Sequence, residues 1–419
     1  MKLQFISNSG CILYLKNGKR ILIDPWITEG IYLGSWIHEP ALKYSYEEIN
    51  LTKDDYIYIS HVHEDHLDID FLGGINKDVS ILTPNTPFNF TKKSLSRLGF
   101  KKFIDLPIKK NKEIIPKFLS VIAYDQFTKH PFLDEPGVGN IIDTSCLFFD
   151  EHSSFFHIND NKLNPKAVLS NNLDKKKIDT ILVNYNPAGP YPACFEVPSL
   201  KNKIKIAREN GIKCLKNTTD VIKLINHKSV IPVSGNYKIT DELNEKYNLN
   251  KFLGHIDINE ALNYMDNNDC KPLQLYEGDL LDIETQKISK KKLLKKLKTV
   301  NSKRKSVPYL KKEYPDSKII KDDFYNALNK MKEREKKYGF SVKTQISIIL
   351  NHSKSKFVIN NGDSKFCKLT LKMDDRLFQM LLNREEFFDN AQIGCHIKFI
   401  REPNIYEYDA MTLLQFLHK

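Results

Sequence analysis

Short apolar runs separated by turn residues fill the first part of the chain. The opening runs predict three strands, the last two joined by a tight Asn17-Gly18 turn, at residues 3–6, 11–15 and 20–24. Residues 56–59 predict a buried strand that ends abruptly at Ser60-His61. Later runs predict further strands at 79–82, 119–124, 141–149, 154–158 and 180–183. Many short strands with polar residues at their ends therefore make up this region.

Helical patterns lie between and after these strands, at 200–209 and 219–226. Strands that carry polar loops at their ends, with helices outside them, predict an α/β sandwich. Beyond residue 285 the pattern changes to helical stripes at 290–298 and 322–337, and then to alternating strands over 340–419 with a closing helix near 410–417. We therefore expect a first domain at 1–285 and a smaller α+β carboxy-terminal region at 286–419, packed against it.

The composition is that of a folded globular protein, with 41% hydrophobic and 28% charged residues in 419. No apolar run approaches the roughly 18 residues of a membrane span, and the amino-terminal residues lack the pattern of a secretory signal. The 7 cysteines have no paired spacing, which argues against both a disulfide framework and a thiolate zinc site. We expect a cytoplasmic protein without a transmembrane segment.

The net charge of +12 is concentrated in one stretch of the chain. Residues 287–312 hold 12 of the 64 lysines and arginines and no acidic residue, so the remaining 52 balance the 52 acidic residues. This basic segment is interpreted either as the solvated face of a helix or as a landing surface for a phosphate-bearing substrate, an acidic electron-donor protein or anionic lipid. Specific nucleic-acid binding is not expected, because the segment has no interleaved aromatic residues.

The strongest chemical signal is the segment 60–66, which reads SHVHEDH at the end of a predicted strand. His61 and His63 are two residues apart, so both imidazoles point the same way in an extended chain, and Asp65 and His66 follow after a turn. Imidazoles and a carboxylate that converge on one point suit a divalent transition metal. The alternative is a polar surface loop. Four ligand-type side chains within six positions favour the metal site.

This motif, preceded by the residues IDPW at 23–26, resembles that of the metallo-β-lactamase fold. The resemblance implies an αββα sandwich with two divalent metal ions, iron or zinc, at one rim. His61 and His63 would hold one metal ion, and Asp65 and His66 the other.

A bridging carboxylate is expected in such a site from a later strand end, and Asp160 is the candidate. An independent physical reason supports this choice, because a buried strand that ends in a carboxylate is costly unless a cation meets it.

A narrower resemblance rests on five fragments in order, at 143–147, 157–160, 186–192, 232–237 and 393–406. Their order and spacing are similar to the catalytic part of the CMP-N-acetylneuraminate hydroxylase family. The resemblance implies oxygen activation at a non-haem metal centre, acting on a nucleotide-activated sugar such as a CMP-sialic-acid-like compound.

The sequence departs from that family in two places. The cysteine and histidine pairs of the family's Rieske iron–sulfur domain are absent, so electrons would come from a separate donor. The family's ligand-type histidine before Asp143 is replaced by Gly139, so we expect a site richer in oxygen ligands. His130 lies in a polar loop and is interpreted first as a surface residue, and it is the candidate for a spare ligand because it falls between the two metal motifs.

Three residues are expected to contact the substrate. Trp36 and His38 are predicted on a loop after the IDPW segment, where this fold borders its substrate, although Trp36 could instead anchor that loop. Tyr191, in the 186–192 fragment, is the third candidate.

Two mechanisms from different classes follow for a metal-dependent enzyme. The first is an iron oxygenase with a separate electron donor. The second is a dinuclear zinc hydrolase that cleaves a phosphoester, amide or lactone, with Asp65 as the catalytic residue that binds metal and orients the attacking water. A binding module that has lost its metal is a third interpretation. The resemblance favours the oxygenase.

Overall fold

The computed structural model describes residues 1–419 apart from 45, 47–48, 87–88, 128–142, 197–198, 291–306, 361 and 363–365. Its strands are β1 (Lys2–Ser7), β2 (Gly10–Tyr14), β3 (Arg20–Ile23), β4 (Trp36–His38), β5 (Tyr56–Tyr58), β6 (Ser80–Pro84), β7 (Phe103–Leu106), β8 (Asn111–Ile115), β9 (Leu119–Tyr124), β10 (Ser145–Phe149), β11 (Ser154–Asn159), β12 (Lys177–Asn184), β13 (Asn226–Val233), β14 (Tyr237–Ile239), β15 (Asp279–Asp282), β16 (Ile288–Lys290), β17 (Gln345–Leu350), β18 (Lys356–Val358), β19 (Lys368–Met373) and β20 (Lys398–Glu402).

The helices fall between these strands and in the carboxy-terminal region. They are α1 (Ile31–Gly34), α2 (Ile69–Gly73), α3 (Phe90–Arg97), α4 (Pro165–Ser170), α5 (Leu200–Ile222), α6 (Asp241–Tyr247), α7 (Ile258–Asp266), α8 (Ser317–Tyr338), α9 (Asp375–Asn383), α10 (Phe388–Ile393) and α11 (Tyr408–Leu414), with 3₁₀ turns at Leu249–Phe252 and Pro308–Lys311. No helix of the described residues is long and apolar enough to cross a lipid bilayer.

Two large sheets form the first part of the protein. One has eight strands in the order β16-β15-β1-β2-β3-β5-β6-β7, and the other has six in the order β13-β12-β11-β10-β9-β8. Buried side chains from both sheets form one core between them, including Leu13, Ile23, Phe148, Phe155 and Leu182. Since alternate residues of a strand point to opposite faces, the same strands also bury their outer faces against helices.

Those outer faces complete the layers. Leu72 of α2 and Leu95 of α3 pack on the eight-stranded sheet, and Val168 of α4, Leu215 of α5 and Met265 of α7 pack on the six-stranded sheet. The order of layers is therefore helix, sheet, sheet, helix. The predicted αββα sandwich is confirmed.

Parallel pairing places the ends of several strands at one rim. In the first sheet β3 pairs in parallel with β5, and in the second β11 pairs in parallel with β12. The carboxyl ends of parallel strands lie at the same edge of a sheet. Asp24, the segment 60–66 and Asp160 follow such strand ends, which explains how distant parts of the sequence meet.

One predicted interruption of a helix is wrong. The sequence predicts two helices at 200–209 and 219–226, but α5 is continuous over its 23 residues, and residues from 226 belong to β13. Gly211 lies in the middle of α5, where a Cβ atom would come within 2.1 Å of the carbonyl oxygen of Gly254. This glycine allows the 254 loop to pack against the helix.

The carboxy-terminal region contains a four-stranded sheet in the order β18-β17-β19-β20, together with α8 to α11. It shares a buried apolar cluster with Trp26, Tyr32, Trp36 and Tyr237 of the first part. The first sheet extends to Lys290, because β16 pairs with β15, so the first residue of the helix predicted at 290–298 belongs to a strand. Residues 291–298 of that helix lie outside the described residues. The boundary at 285 stays a prediction.

Candidate metal centre

The segment 60–66 is held in place by a buried carboxylate at the end of β3. Asp24 accepts hydrogen bonds from the backbone nitrogen of Ser60 at 2.7 Å and from its hydroxyl at 2.5 Å. A turn follows, in which the backbone nitrogen of His66 donates to the carbonyl of His63 at 3.0 Å. The end of β5, the turn and Asp24 together direct the ligand-type side chains inward.

One group of potential ligands contains His61, His63 and Asp160, whose ligand atoms lie within 4.8 Å of one another. Nε2 of His61 is 3.0 Å from Nδ1 of His63. A carboxylate oxygen of Asp143 lies 3.8 Å from the same Nε2 of His61. Two imidazoles and two carboxylates therefore surround this point.

A second group contains Asp65, His66 and again Asp160. Nε2 of His66 lies 3.4 Å from Oδ2 of Asp65 and 3.5 Å from Oδ2 of Asp160. Asp160 is therefore shared by both groups, as a bridging carboxylate would be. The fold brings all five predicted ligands together, and their binding of metal stays a prediction.

Each of the three imidazoles uses its other ring nitrogen for a contact with an oxygen atom. These contacts join Nδ1 of His61 to Oγ of Ser60 at 2.9 Å, Nε2 of His63 to Oδ2 of Asp389 at 3.3 Å, and Nδ1 of His66 to Oδ2 of Asp24 at 2.8 Å. Histidines that bind metal are oriented in this way by oxygen partners. The donor set thus fits a pair of divalent metal ions.

The carboxylates are oriented as well. The Tyr32 hydroxyl donates to Oδ1 of Asp65 at 2.5 Å, and Nδ2 of Asn184 donates to Oδ1 of Asp160 at 2.6 Å. In each case one carboxylate oxygen is fixed by the protein and the other faces His66.

Burial would raise the pKa of Asp160, but the hydrogen bond and the charge of His66 outweigh it, so the pKa lies well below the ordinary value. Asp65 follows the same pattern, since the charge of His66 outweighs burial and lowers its pKa. Asp143 differs, because burial dominates and raises its pKa to about 6.

Burial and the neighbouring carboxylates shift the pKa values of the histidines. Burial lowers the pKa of His61 well below its ordinary value. Burial also acts to lower the pKa of His63, but the hydrogen bond and charge of Asp389 exceed this effect and raise the pKa to about 9. The pKa of His66 is raised well above the ordinary value, because Asp65 and Asp24 outweigh burial. The carboxylates of this site thus favour positive charge at its centre.

A cavity of about 530 Å³ opens beside the two groups. Its lining includes His63, Asp143 and Asp160, together with Lys213 and Tyr191. The other lining side chains that can hydrogen-bond are mostly amides, from Asn159, Asn161, Asn184, Asn186, Asn210 and Asn217. Its size and position suit a small polar molecule.

The predicted substrate residues have different outcomes. The loop expected at Trp36 and His38 is wrong, because both belong to β4, which pairs with β14 about 200 residues later in the chain. Each is only 2% exposed, and the His38 ring stacks on Trp26 with centroids 4.1 Å apart. Their burial in this aromatic cluster argues against direct contact with a substrate. Tyr191 lines the cavity, and its contact with substrate stays a prediction.

The residues of the site that were not selected from the sequence include Asp24, Tyr32, Asp143, Asn184 and Asp389. Asp24 and Asp143 stood within fragments that carried the resemblance, and a search for carboxylates at predicted strand ends would have found them. Tyr32 and Asp389 give no such signal. Gly139 and His130 lie outside the described residues, so the replacement of the histidine before Asp143 stays a prediction.

The layers are those of the αββα sandwich expected from the resemblance to the metallo-β-lactamase fold, and the histidines and aspartates gather at one rim of it. No protein-family model matches the chain. A curated protein of Mycolicibacterium smegmatis, named for a Rieske 2Fe-2S iron–sulfur centre, is 28% identical over 200 residues, which cover 48% of this chain and 37% of that protein. A protein of Mycobacterium tuberculosis with the same kind of name is 27% identical over 200 residues, with the same coverage of 48% and 37%. The chain thus spans well under half the length of the curated relatives it matches.

Among solved structures, the chain is similar to Igni18, a metallo hydrolase of the archaeon Ignicoccus hospitalis, at 18% identity and a TM-score of 0.43, covering 67% of this chain and 97% of that one. It is also similar to CmlA, a diiron β-hydroxylase of Streptomyces venezuelae, at 11% identity and a TM-score of 0.41, covering 66% of this chain and 53% of that one.

Proposed function

We propose that this protein is a metal-dependent enzyme with a dinuclear centre, a non-haem iron hydroxylase or oxygenase that takes electrons from a separate donor. We further propose a small polar substrate, a nucleotide-activated sugar such as a CMP-sialic-acid-like compound. The observation that carries the proposal is the sharing of Asp160 between two groups of ligand atoms, His61 with His63 and Asp65 with His66.

The choice of iron is supported by the balance of donors. The first group has two imidazoles and one carboxylate, which is the donor set of many non-haem iron oxygenases. Asp143 adds a further oxygen near His61, so carboxylates are as numerous as imidazoles around the two groups. Oxygen ligands favour harder metal ions than the sulfur and nitrogen ligands of structural zinc sites.

The proposed electron donor is supported by the curated relatives. They are named for a Rieske 2Fe-2S iron–sulfur centre, which is a one-electron carrier. A metal centre that accepts electrons is a natural partner for such a carrier. In this protein the donor would be a separate iron–sulfur protein or a chemically equivalent reductant.

The substrate class is supported by the cavity. Its volume of about 530 Å³ falls within the usual range for small-molecule sites. Lys162 and Lys213 can attract a phosphate or carboxylate group, and the asparagine amides can hydrogen-bond the hydroxyls of a sugar. Tyr191 can pack against a flat or apolar part of the ligand.

The protein's own residues hold and orient the reacting groups. When bound, iron would supply oxygen activation, and His61, His63, Asp65, His66 and Asp160 would hold it. Tyr32 fixes Asp65, and Asn184 fixes Asp160, so both carboxylates keep one oxygen toward His66. The cavity brings the substrate to the side of the centre that Asp143 and His63 line.

Metal analysis after anaerobic purification tests this proposal. We expect about two iron ions per chain, and oxygen uptake that requires both a reductant and a CMP-activated sugar. Asp160→Ala should lose the metal, whereas Asp105→Ala should retain it, because Asp105 is half exposed in an ion pair with Lys92. A chain that binds no divalent metal would contradict the proposal.

A zinc hydrolase is the second candidate. It is favoured by the orientation of Asp65, whose Oδ1 is held by the Tyr32 hydroxyl while Oδ2 faces His66, as a carboxylate that orients a water molecule would be. Two zinc ions per chain, with ester or phosphoester hydrolysis that needs no reductant, would support this candidate against the oxygenase.

A further inference from the structure

Residues 389–396, which comprise most of α10 and the turn after it, lie against the metal-ligand segment from a part of the chain more than 300 positions away. Four polar contacts join these residues to the first part of the protein. Oδ2 of Asp389 lies 3.3 Å from Nε2 of His63, and Nδ2 of Asn390 donates to Oε1 of Glu64 at 3.0 Å. The carbonyl of Gly394 accepts from the Ser35 hydroxyl at 2.7 Å, and Nε2 of His396 lies 2.9 Å from the carbonyl oxygen of Tyr32. Two of the four contact the segment 60–66 itself.

We propose that Asp389 is a positioning residue that sets the metal affinity of the His61 and His63 group, so that the carboxy-terminal region completes the metal centre. This inference rests on the proposed metal-dependent function. It assigns the carboxy-terminal region a role in the site, beyond its packing against the sandwich.

The contact of Asp389 determines which nitrogen of His63 faces the ligand group. Because Nε2 of His63 points to the carboxylate of Asp389, Nδ1 remains directed to Nε2 of His61 at 3.0 Å. A carboxylate partner holds the hydrogen on Nε2, leaves the lone pair on Nδ1 and makes the imidazole a more basic ligand.

The three histidines differ in where this support comes from. Ser60, which supports His61, precedes it in the chain, and Asp24, which supports His66, ends a strand of the same sheet. Ser60 and Asp24 both belong to the sandwich, so their positions do not depend on the carboxy-terminal region. The partner of His63 comes from α10, so its orientation depends on how the carboxy-terminal region docks.

The other contacts fix the position of α10. Tyr32 is the central residue, because its carbonyl accepts from His396 while its backbone nitrogen donates to Glu64 at 2.5 Å. Glu64 in turn accepts from Asn390 through its second oxygen. His396 is itself fixed by the Tyr309 hydroxyl, 3.0 Å from Nδ1. Asp389 is therefore presented to His63 from a helix that this network holds in place.

The test measures metal affinity on the full chain after removal of metal by a chelator. Co²⁺ is titrated against a competing chromophoric chelator, and the absorption of bound Co²⁺ reports the ligands of each site. We expect Asp389→Ala to weaken one of the two binding steps about 10- to 100-fold and to change its spectrum, while the other step keeps its affinity.

Asp389→Asn serves as the conservative variant, because its amide oxygen can still accept from Nε2 of His63. It should restore most of the affinity lost in Asp389→Ala. The matched control is Asp323→Ala, which removes a carboxylate from α8 of the same region, where it accepts from Gln379 at 2.6 Å and Lys419 at 2.8 Å. This control should leave both binding steps unchanged.

The outcomes separate the two proposals. If the unmodified chain binds no Co²⁺, the proposed function fails, and the role of Asp389 fails with it. If the unmodified chain binds two ions and Asp389→Ala binds them equally well, only the role of Asp389 is overturned. Equal losses in Asp389→Ala and Asp323→Ala would also overturn it, since they would reflect a general loss of structure. Should Asp389→Ala fail to fold, the Asp389→Asn titration decides. Loss of the negative charge beside Nε2 of His63 should still change the spectrum of one binding step and weaken it by a smaller factor, and a spectrum and affinity identical at both steps to those of the unmodified chain would contradict the role of Asp389.

Discussion

Asp24 and His66 are joined by a contact that is almost completely buried. Nδ1 of His66 lies 2.8 Å from Oδ2 of Asp24, and the two residues are 1% and 0% exposed. The same carboxylate accepts two hydrogen bonds from Ser60. Asp24 therefore ties the end of β3 to the beginning and the end of the ligand segment at once.

We expect Asp24→Ala to weaken both folding and metal binding. The change leaves the backbone nitrogen of Ser60 and the ring of His66 without their acceptor in a buried place. The loss of one partner from such a pair costs about 3–5 kcal/mol of unfolding free energy. Metal affinity should fall about 10- to 100-fold, because His66 is no longer oriented. Thermal unfolding and chelator competition measure the two effects. An unchanged metal affinity in a folded Asp24→Ala protein would contradict this role.

Single ligand removals should differ in how much metal they release. His63 belongs to one group of ligand atoms and Asp160 to both. We therefore expect His63→Ala to lose one metal ion first, together with the activity, and Asp160→Ala to lose both ions. Metal analysis of each purified variant checks this. If Asp160→Ala loses no more metal than His63→Ala, Asp160 does not bridge.

The parts of the fold that were predicted from the sequence depend on local patterns. Short apolar runs with polar residues at their ends indicated the sandwich. Asp160 was indicated by the resemblance to the metallo-β-lactamase fold, together with the cost of a carboxylate at a buried strand end. The sequence analysis missed the continuity of α5, because Gly211 weakens the helical pattern. A glycine is needed at this position because the carbonyl oxygen of Gly254 packs against it. A tertiary contact of this kind leaves no trace in local spacing.

The site residues that the sequence analysis missed also depend on tertiary contacts. Tyr32 meets Asp65 through a turn in which its φ angle is 50°, and Asp389 meets His63 across 326 positions. Trp36 and His38 were predicted on a loop because the partner strand of β4 lies about 200 residues away. Sequence spacing reveals ligands that are neighbours in the chain, but it does not reveal partners that only folding brings together.

Asp143 should influence which metal is retained. Its carboxylate lies 3.8 Å from Nε2 of His61, where an imidazole would add a softer nitrogen donor. We expect Asp143→His to raise zinc retention relative to iron, and Asp143→Ala to lower the affinity for both. Competition between Zn²⁺ and Fe²⁺ under anaerobic conditions measures the ratio. An unchanged ratio in Asp143→His would show that Asp143 is not a ligand.

Lys213 should contribute to substrate binding through its charge. It lines the cavity on α5, whereas Lys216 lies about one turn further along the same helix, outside the lining. We expect Lys213→Glu to weaken binding of a CMP-activated sugar about tenfold, since an attraction becomes a repulsion. Lys216→Glu is the matched control and should change binding by less than about twofold. Calorimetric titration measures both. Equal effects of the two variants would rule out a specific contact at Lys213.

The basic segment 287–312 gives the prediction that distinguishes a docking surface from a solvated helix face. Most of it, 291–306, lies outside the described residues, so this prediction rests on the sequence alone. The rest of the chain is balanced in charge, so an acidic electron donor that docks by electrostatics would be attracted mainly to this segment. Such attraction is screened over about 8 Å at physiological salt. Donor-dependent turnover should therefore fall steeply as salt rises, while metal binding, which depends on short coordination bonds, should not.

Reversing the charges of Lys291, Lys292, Lys295 and Lys296 should reduce donor-dependent turnover in the same way and leave turnover with a small neutral reductant unchanged. Turnover that is insensitive to both salt and these substitutions would support the interpretation of the segment as the solvated face of a helix, and would count against an acidic donor protein.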